Sequence, residues 1–175
     1  TICIDEQDKE KTKVQVNFTK GNPNFTLSYT IGEKTFNDIL VEGNTHSIEE
    51  YIDANATISI NKVVDSYGCE NTDFGSIKHD VDTKKHATLG TLAELAETCE
   101  GTTLTLATPT VTNNGSTVSN QKWVLNEEDF APTTRLDFDA HNGQTIFYQI
   151  TSSCNGKERD IKSNEVTVTV INSNV

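Results

Sequence analysis

The sequence predicts an all-β chain of two tandem sandwich units, and three observations point to it. Apolar and polar residues alternate over short runs, the period of a strand with one buried face. Turn signals recur about every 8–12 residues. One plan also occurs twice: an alternating run ending in a cysteine, a polar interval, then a closing run. Asn55–Cys69 with Ser76–Val81 is the first copy, and Thr145–Cys154 with Glu165–Val170 is the second. A length of 175 residues suits two small domains better than one large one. The expected domains are residues 1–83 and 87–175, with the polar segment VDTKKHATLG as the linker.

The first half opens on TICID, a short edge strand, and the charged turn EQDKEK. TKVQVNF then places Val14, Val16 and Phe18 on one face, with Gln15 and Asn17 on the other. KGNPN reads as a turn, and FTLSYTI follows with Phe25, Leu27, Tyr29 and Ile31 inward and Thr26, Ser28 and Thr30 outward. Four inward apolar residues in succession make this the clearest core strand of the half. From Gly32 to Tyr51 the pattern weakens, and strands with connections fit better than a helical turn at SIEEYID. ATISINKVVD is the long strand leading to Cys69, and GSIKHDVD closes the unit.

The second half begins with leucines at 89, 92 and 95, a spacing that leaves helix and strand both open. TTLTLATPTV is a strand, Asn113-Asn114-Gly115 signals a turn, and NQKWVLN carries Trp123, the only tryptophan. LNEEDFAPTT is expected as an acidic connection, TRLDFD as a strand and AHNG as a turn. The closing hairpin runs from Thr145 to Val170, with Val166, Val168 and Val170 on one face.

A net charge of −12, shared equally as −6 for residues 1–85 and −6 for residues 86–175, argues against nucleic acid or anionic lipid as a partner. No apolar run approaches the ~20 residues that cross a bilayer, so direct membrane insertion of this chain is not expected. Methionine is absent even at position 1, so the chain is expected to be a processed or excised piece of something longer.

Cys3, Cys69, Cys99 and Cys154 fall two to each half without zinc-site spacing. The even count suggests two disulfides and an oxidising compartment, with Cys3–Cys69 and Cys99–Cys154 as the pairs within each half. His46, His79, His86 and His141 are scattered and read as surface residues. Asp137, Asp139 and Asn142 outline a calcium-like loop but lack its downstream glutamate, and strand alternation already explains them. Trp123 is expected in the core, whereas Tyr51, Tyr67 and Phe130 lie in or near connections and suit a surface platform. Asn17, Asn24, Asn55 and Asn114 match the Asn-x-Ser/Thr pattern, a common coincidence in an Asn- and Thr-rich chain.

The segments Cys99–Leu106, Gln121–Trp123, Tyr148–Ile150 and Ser163–Val170 resemble immunoglobulin-like and PKD-like repeats of secreted and cell-surface proteins in the Bacteroidetes. Asn22–Thr30 followed by Val63–Cys69 is similar to another repeat of that group, with Asn24 where a second proline is frequent. The resemblance implies two immunoglobulin-like β-sandwiches in tandem, non-catalytic and without a cofactor or metal. It also implies a place in a larger bacterial surface or secreted protein, as a spacer or adhesive unit. The other reading is a carbohydrate-binding appendage of a polysaccharide-processing system. The partner is expected to be a protein or glycan at the cell surface. The polar stretch Lys157, Glu158, Arg159, Asp160 and Lys162, taken as a hairpin loop, is the expected contact site.

Overall fold

The computed structural model describes residues 1–75 and 77–172; Ser76, the first residue of the expected closing run of the first half, lies outside them. The chain forms two compact units, Thr1–Lys84 and Lys85–Val175.

Unit 1 contains β1 (Ile2–Cys3), β2 (Val14–Asn17), β3 (Phe25–Ile31), β4 (Lys34–Val41), β5 (Thr45–Ile48), β6 (Ala56–Val64), β7 (Glu70–Asn71), β8 (Lys78–Val81) and β9 (Thr83–Lys84). The strands β2 and β5 pair in one sheet, while β4, β3 and β6 lie side by side in the other, with β7 and β8 both pairing β6. Second with fifth, and fourth, third, sixth and eighth together, is the immunoglobulin plan with a strand added beside the third. The first strand, β1, runs parallel to β9, with Ile2 opposite Thr83. Both sheets feed one core: Phe25, Leu27 and Ile31 from β3 and Ile58 from β6 meet Ile48 from β5. Leu27 and Ile48 have no solvent exposure, and each such side chain contributes about 1.5–3 kcal/mol by leaving water.

Ser28 departs from the expected outward face: it is buried. Extra residues in β4 and β6 shift the registers on both sides of this point, so strict alternation fails there. Its hydroxyl accepts the N–H of Asp38 at 3.1 Å, and Asp38 sits in the left-handed region at φ 53°. The hydroxyl thus satisfies a donor that the bulge removes from the ladder.

Unit 2 contains β10 (Thr88–Leu89), β11 (Thr98–Cys99), β12 (Thr103–Thr105), β13 (Val111–Thr112), β14 (Thr117–Leu125), β15 (Glu128–Phe130), β16 (Thr133–Arg135), α1 (Phe138–His141), β17 (Thr145–Cys154), β18 (Lys157–Lys162), β19 (Val166–Thr167) and β20 (Val170–Ile171). The plan of unit 1 returns: β12 pairs β16, and β15, β14, β17 and β18 lie side by side, with β19 also pairing β17. Strand β11 runs parallel to β20 as β1 does to β9. The two readings left open at Leu89, Leu92 and Leu95 resolve against a helix, since among the described residues this stretch carries only the short strands β10 and β11 at its ends. Leu92 is nevertheless in the core, with Trp123, Ile146, Tyr148 and Ile150.

Two further expectations give way to local turn chemistry. The acidic connection is a tight hairpin, because Asn126 and Glu127 take positive φ (47° and 68°) and let Glu128 pair with Leu125 at once. The strand expected over TRLDFD ends at Arg135, because Asp137 caps a helical turn, its carboxylate accepting the Ala140 N–H at 3.0 Å.

Ile150 has no solvent exposure, so Ile150→Ala is expected to destabilise unit 2 by about 2–5 kcal/mol. Urea unfolding followed by fluorescence of Trp123, which reports on unit 2 alone, measures it.

Candidate functional site

The contact loop expected at Lys157–Lys162 is a strand. Asn155 and Gly156, at φ 52° and 82°, make the whole turn, and β18 then pairs with β17 from Lys157 opposite Cys154 to Lys162 opposite Gln149. An Asn-Gly pair accepts positive φ at both positions at little cost, so the ladder closes two residues after Cys154. The charges belong to an edge strand rather than a mobile tip. Asp160 accepts the Thr151 hydroxyl at 2.7 Å and the Gln149 side-chain amide at 3.2 Å. Lys162 lies 4.6 Å over the Phe147 ring. Glu158, Asp160 and Lys162 are exposed, Lys157 and Arg159 half-buried. Charged residues along an edge block pairing with other chains, a structural role that the sequence pattern resembles a binding loop in performing.

Of the aromatic residues, Trp123 is in the core, its ring edge-on to Tyr148 at 5.2 Å between centroids. Its indole N–H is buried without a hydrogen-bond partner. Tyr67 is 79% exposed and Tyr51 is 48% exposed, but Lys9 and Lys11 stand 5.7 and 5.3 Å from the Tyr51 ring centre. Phe130 is half-buried. The structure therefore leaves Tyr67 as the open ring of the three.

The cysteine pairs expected within each half do not form. Cys69 and Cys99 are free and exposed, whereas Cys3 and Cys154 are disulfide-bonded and wholly buried. A bridge needs Cβ atoms about 4 Å apart, and each half places one cysteine in the core and the other at the surface. Cys69 ends a turn that Asp65 organises, its carboxylate accepting the N–H groups of Cys69 at 2.9 Å, Tyr67 at 3.0 Å and Asn22 at 3.2 Å. These bonds, that of Cys69 first, hold the Asp65 carboxyl below its ordinary range.

One polar centre escaped the sequence reading altogether. His86, expected at the surface, is buried, and its Nδ1 lies 3.2 Å from the Ser152 hydroxyl. That hydroxyl accepts the Ala87 N–H at 2.9 Å and donates to the Ser116 hydroxyl at 3.1 Å. Asn114 donates to the His86 carbonyl at 3.0 Å. A serine beside a histidine invites a catalytic reading, but Ser152 has no exposure to a substrate, and its bonds serve to satisfy a bend of backbone within the core. Three of the Asn-x-Ser/Thr asparagines are exposed residues that hydrogen-bond neighbouring backbone: Asn114 donates to the His86 carbonyl, while Asn24 accepts the Gly43 N–H and Asn55 the Thr83 N–H. The candidate calcium ligand Asp137 is a helix cap, and Asp139 is exposed.

No family model matches the sequence, and no curated protein does. Among solved structures, the full ectodomain of mouse nectin-like molecule 4, with three immunoglobulin domains, aligns over 95% of this chain and 66% of its own, at 13% identity and a TM-score of 0.41. The chain thus spans just under two thirds of that ectodomain. The strand order of each unit defines the immunoglobulin-like fold independently of that overlap.

Three measurements follow from this geometry. Native labelling with a thiol reagent in the absence of reductant is expected to modify Cys69 and Cys99 and no other cysteine, with Cys3 and Cys154 reacting only after denaturation and reduction. Ser152→Ala removes the acceptor of the Ala87 N–H inside the core, which costs roughly 1–3 kcal/mol in the unfolding monitored by Trp123. For Asp65, a lowered folded pKa means that its contribution is present above the ordinary carboxylate range near ~3.9 and is lost as pH falls through the folded value. An NMR titration should give Asp65 a midpoint below that range, with the Tyr67 and Cys69 amide signals following the same curve.

Proposed function

We propose that the chain is a non-catalytic extracellular module of a larger bacterial surface or secreted protein, serving as a spacer or adhesive unit. The observation that carries this reading is the duplication itself. Two immunoglobulin-like units follow one another, and they repeat not only strand order but pairing: Ile58 opposite His79 in unit 1 answers to Ile146 opposite Val166 in unit 2. Serial units of one plan extend a surface protein without adding chemistry. The disulfide-bonded Cys3 and Cys154 support an oxidising compartment. The resemblance of Cys99–Leu106 and Ser163–Val170 to immunoglobulin-like and PKD-like repeats of the Bacteroidetes supports the bacterial setting.

The second reading, a carbohydrate-binding appendage, is favoured by the exposed ring of Tyr67, because aromatic faces stack on sugars. Probing a glycan array with the chain separates the two. The module reading expects silence across the array, with any saturable binding directed to a protein or to a cell-surface component unaffected by Tyr67→Ala. A saturable glycan signal weakened tenfold or more by Tyr67→Ala transfers the chain to the second reading.

A further inference from the structure

Because the two units share a plan, each cysteine of one can be set against a cysteine of the other, and the strand registers fix the correspondence. Cys3 ends β1 and lies opposite Lys84 in β9, while Cys99 ends β11 and lies opposite Ile171 in β20. The flanking bonds agree. The N–H groups of Ile2 and Ile4 donate to the carbonyls of Asp82 and Lys84, and those of Thr98 and Glu100 donate to the carbonyls of Thr169 and Ile171. Cys3 and Cys99 therefore occupy one place in the plan, on its first strand.

Cys69 and Cys154 belong to a second place. Ile58 opposite His79 answers to Ile146 opposite Val166, and Tyr29 opposite Ile60 answers to Trp123 opposite Tyr148. Strands β6 and β17 are thus the same strand of the plan, and each turns back at its end into a paired strand, β7 or β18. Cys69 closes that hairpin turn as the residue before β7, and Cys154 opens it as the last residue of β17. In unit 1 the Asp65 carboxylate, accepting the Cys69 N–H at 2.9 Å, fixes the backbone that carries the thiol.

The two places are oxidised in a complementary way. In unit 1 the first-strand cysteine is disulfide-bonded and the hairpin cysteine is free, whereas in unit 2 the hairpin cysteine is bonded and the first-strand cysteine is free. Both places are therefore competent for a disulfide in this fold, and in neither unit do they bond each other. The free members, Cys69 and Cys99, are one of each kind, and both are exposed. Their bonded counterparts supply what an isolated surface thiol lacks, an instance of the same place engaged with a partner.

We propose that Cys69 and Cys99 are complementary linkage points, through which copies of this chain bond in series, the first-strand Cys99 of one to the hairpin Cys69 of another. As the bond between the two Sγ atoms forms, each thiol gives up a proton and an electron. A low-molecular-weight disulfide takes up both electrons and leaves as two thiols. Because unlike places join, a linked pair still presents one free cysteine of each kind, and the series does not close at two copies. The inference rests on the module reading above in taking units of one plan as partners, and it adds a covalent order to them.

The test uses the full chain as its own partner. Cys69→Ser leaves Cys99 as the free thiol and Cys99→Ser leaves Cys69, and both substitutions alter an exposed side chain. Equal amounts of the two variants, one carrying a heavy-nitrogen label, are oxidised together in a glutathione redox buffer and resolved by intact mass without reductant. The mixed dimer is expected to exceed each like-with-like dimer by about fivefold or more, where indiscriminate oxidation of equally reactive thiols gives about twofold. The unsubstituted chain is expected to give reductant-sensitive species longer than dimers, with peptide mapping joining Cys69 to Cys99. A smaller excess of the mixed dimer overturns the proposal. So do glutathione adducts without linked chains, an unsubstituted chain that stops at dimers, or one that loses both thiols while remaining monomeric. A Tyr67-dependent glycan signal would instead overturn the module reading, so the two failures are told apart.

Discussion

Each unit depends on one antiparallel pair of strands, β3 with β6 and β14 with β17. In unit 1, β3 has partners on both sides, so its backbone is satisfied within the sheet and its side chains can be apolar along one whole face. An aromatic residue anchors the middle of each pair: Tyr29 opposite Ile60, and Trp123 opposite Tyr148. Burial pushes the phenols of Tyr29 and Tyr148 up from their ordinary range, with Glu50 adding to the effect at Tyr29. Strand β4, at the edge of its sheet, leaves Leu40 70% exposed.

This hierarchy explains what could be read from the sequence. The central strands were legible because burial on the inner face imposes a period of two: Phe25, Leu27, Tyr29 and Ile31 announce themselves, as do Ile146, Tyr148 and Ile150. Where the period breaks, the reading failed for physical reasons. Ser28 is buried because bulges on both neighbouring strands disturb the register, and a serine that serves a bulge looks in sequence like one facing water. The charged stretch after Cys154 reads as a loop by composition, yet two residues of positive φ suffice to turn the chain. Asn155-Gly156 was the signal that could have shortened that loop.

The polar centre of unit 2 and the cysteines were illegible for a different reason. His86, Ser116 and Ser152 come together from three distant parts of the chain, and nothing in local pattern distinguishes a histidine that meets a core serine from one in solvent. Cysteine parity suggested that all four would pair, but parity carries no information on which side chains face the core. The comparison of units, by contrast, draws on correspondences that only hydrogen-bond register supplies. It sets Asn164, whose side chain holds the backbone of Leu92, against Ile77, which is exposed.

The central claim is that a double-partnered strand pair organises each unit while β2 of unit 1 pairs, among the described residues, with β5 on one side alone. Residue-resolved native-state hydrogen exchange tests it most directly, because exchange reports both the cooperative core and single unpaired amides. The account predicts the slowest exchange in β3, β6, β14 and β17, protection at Val14 and Val16, and fast exchange at Gln15 and Asn17. Protection of Gln15 and Asn17 equal to that of Val16, or fast exchange throughout β3 and β6, would contradict it.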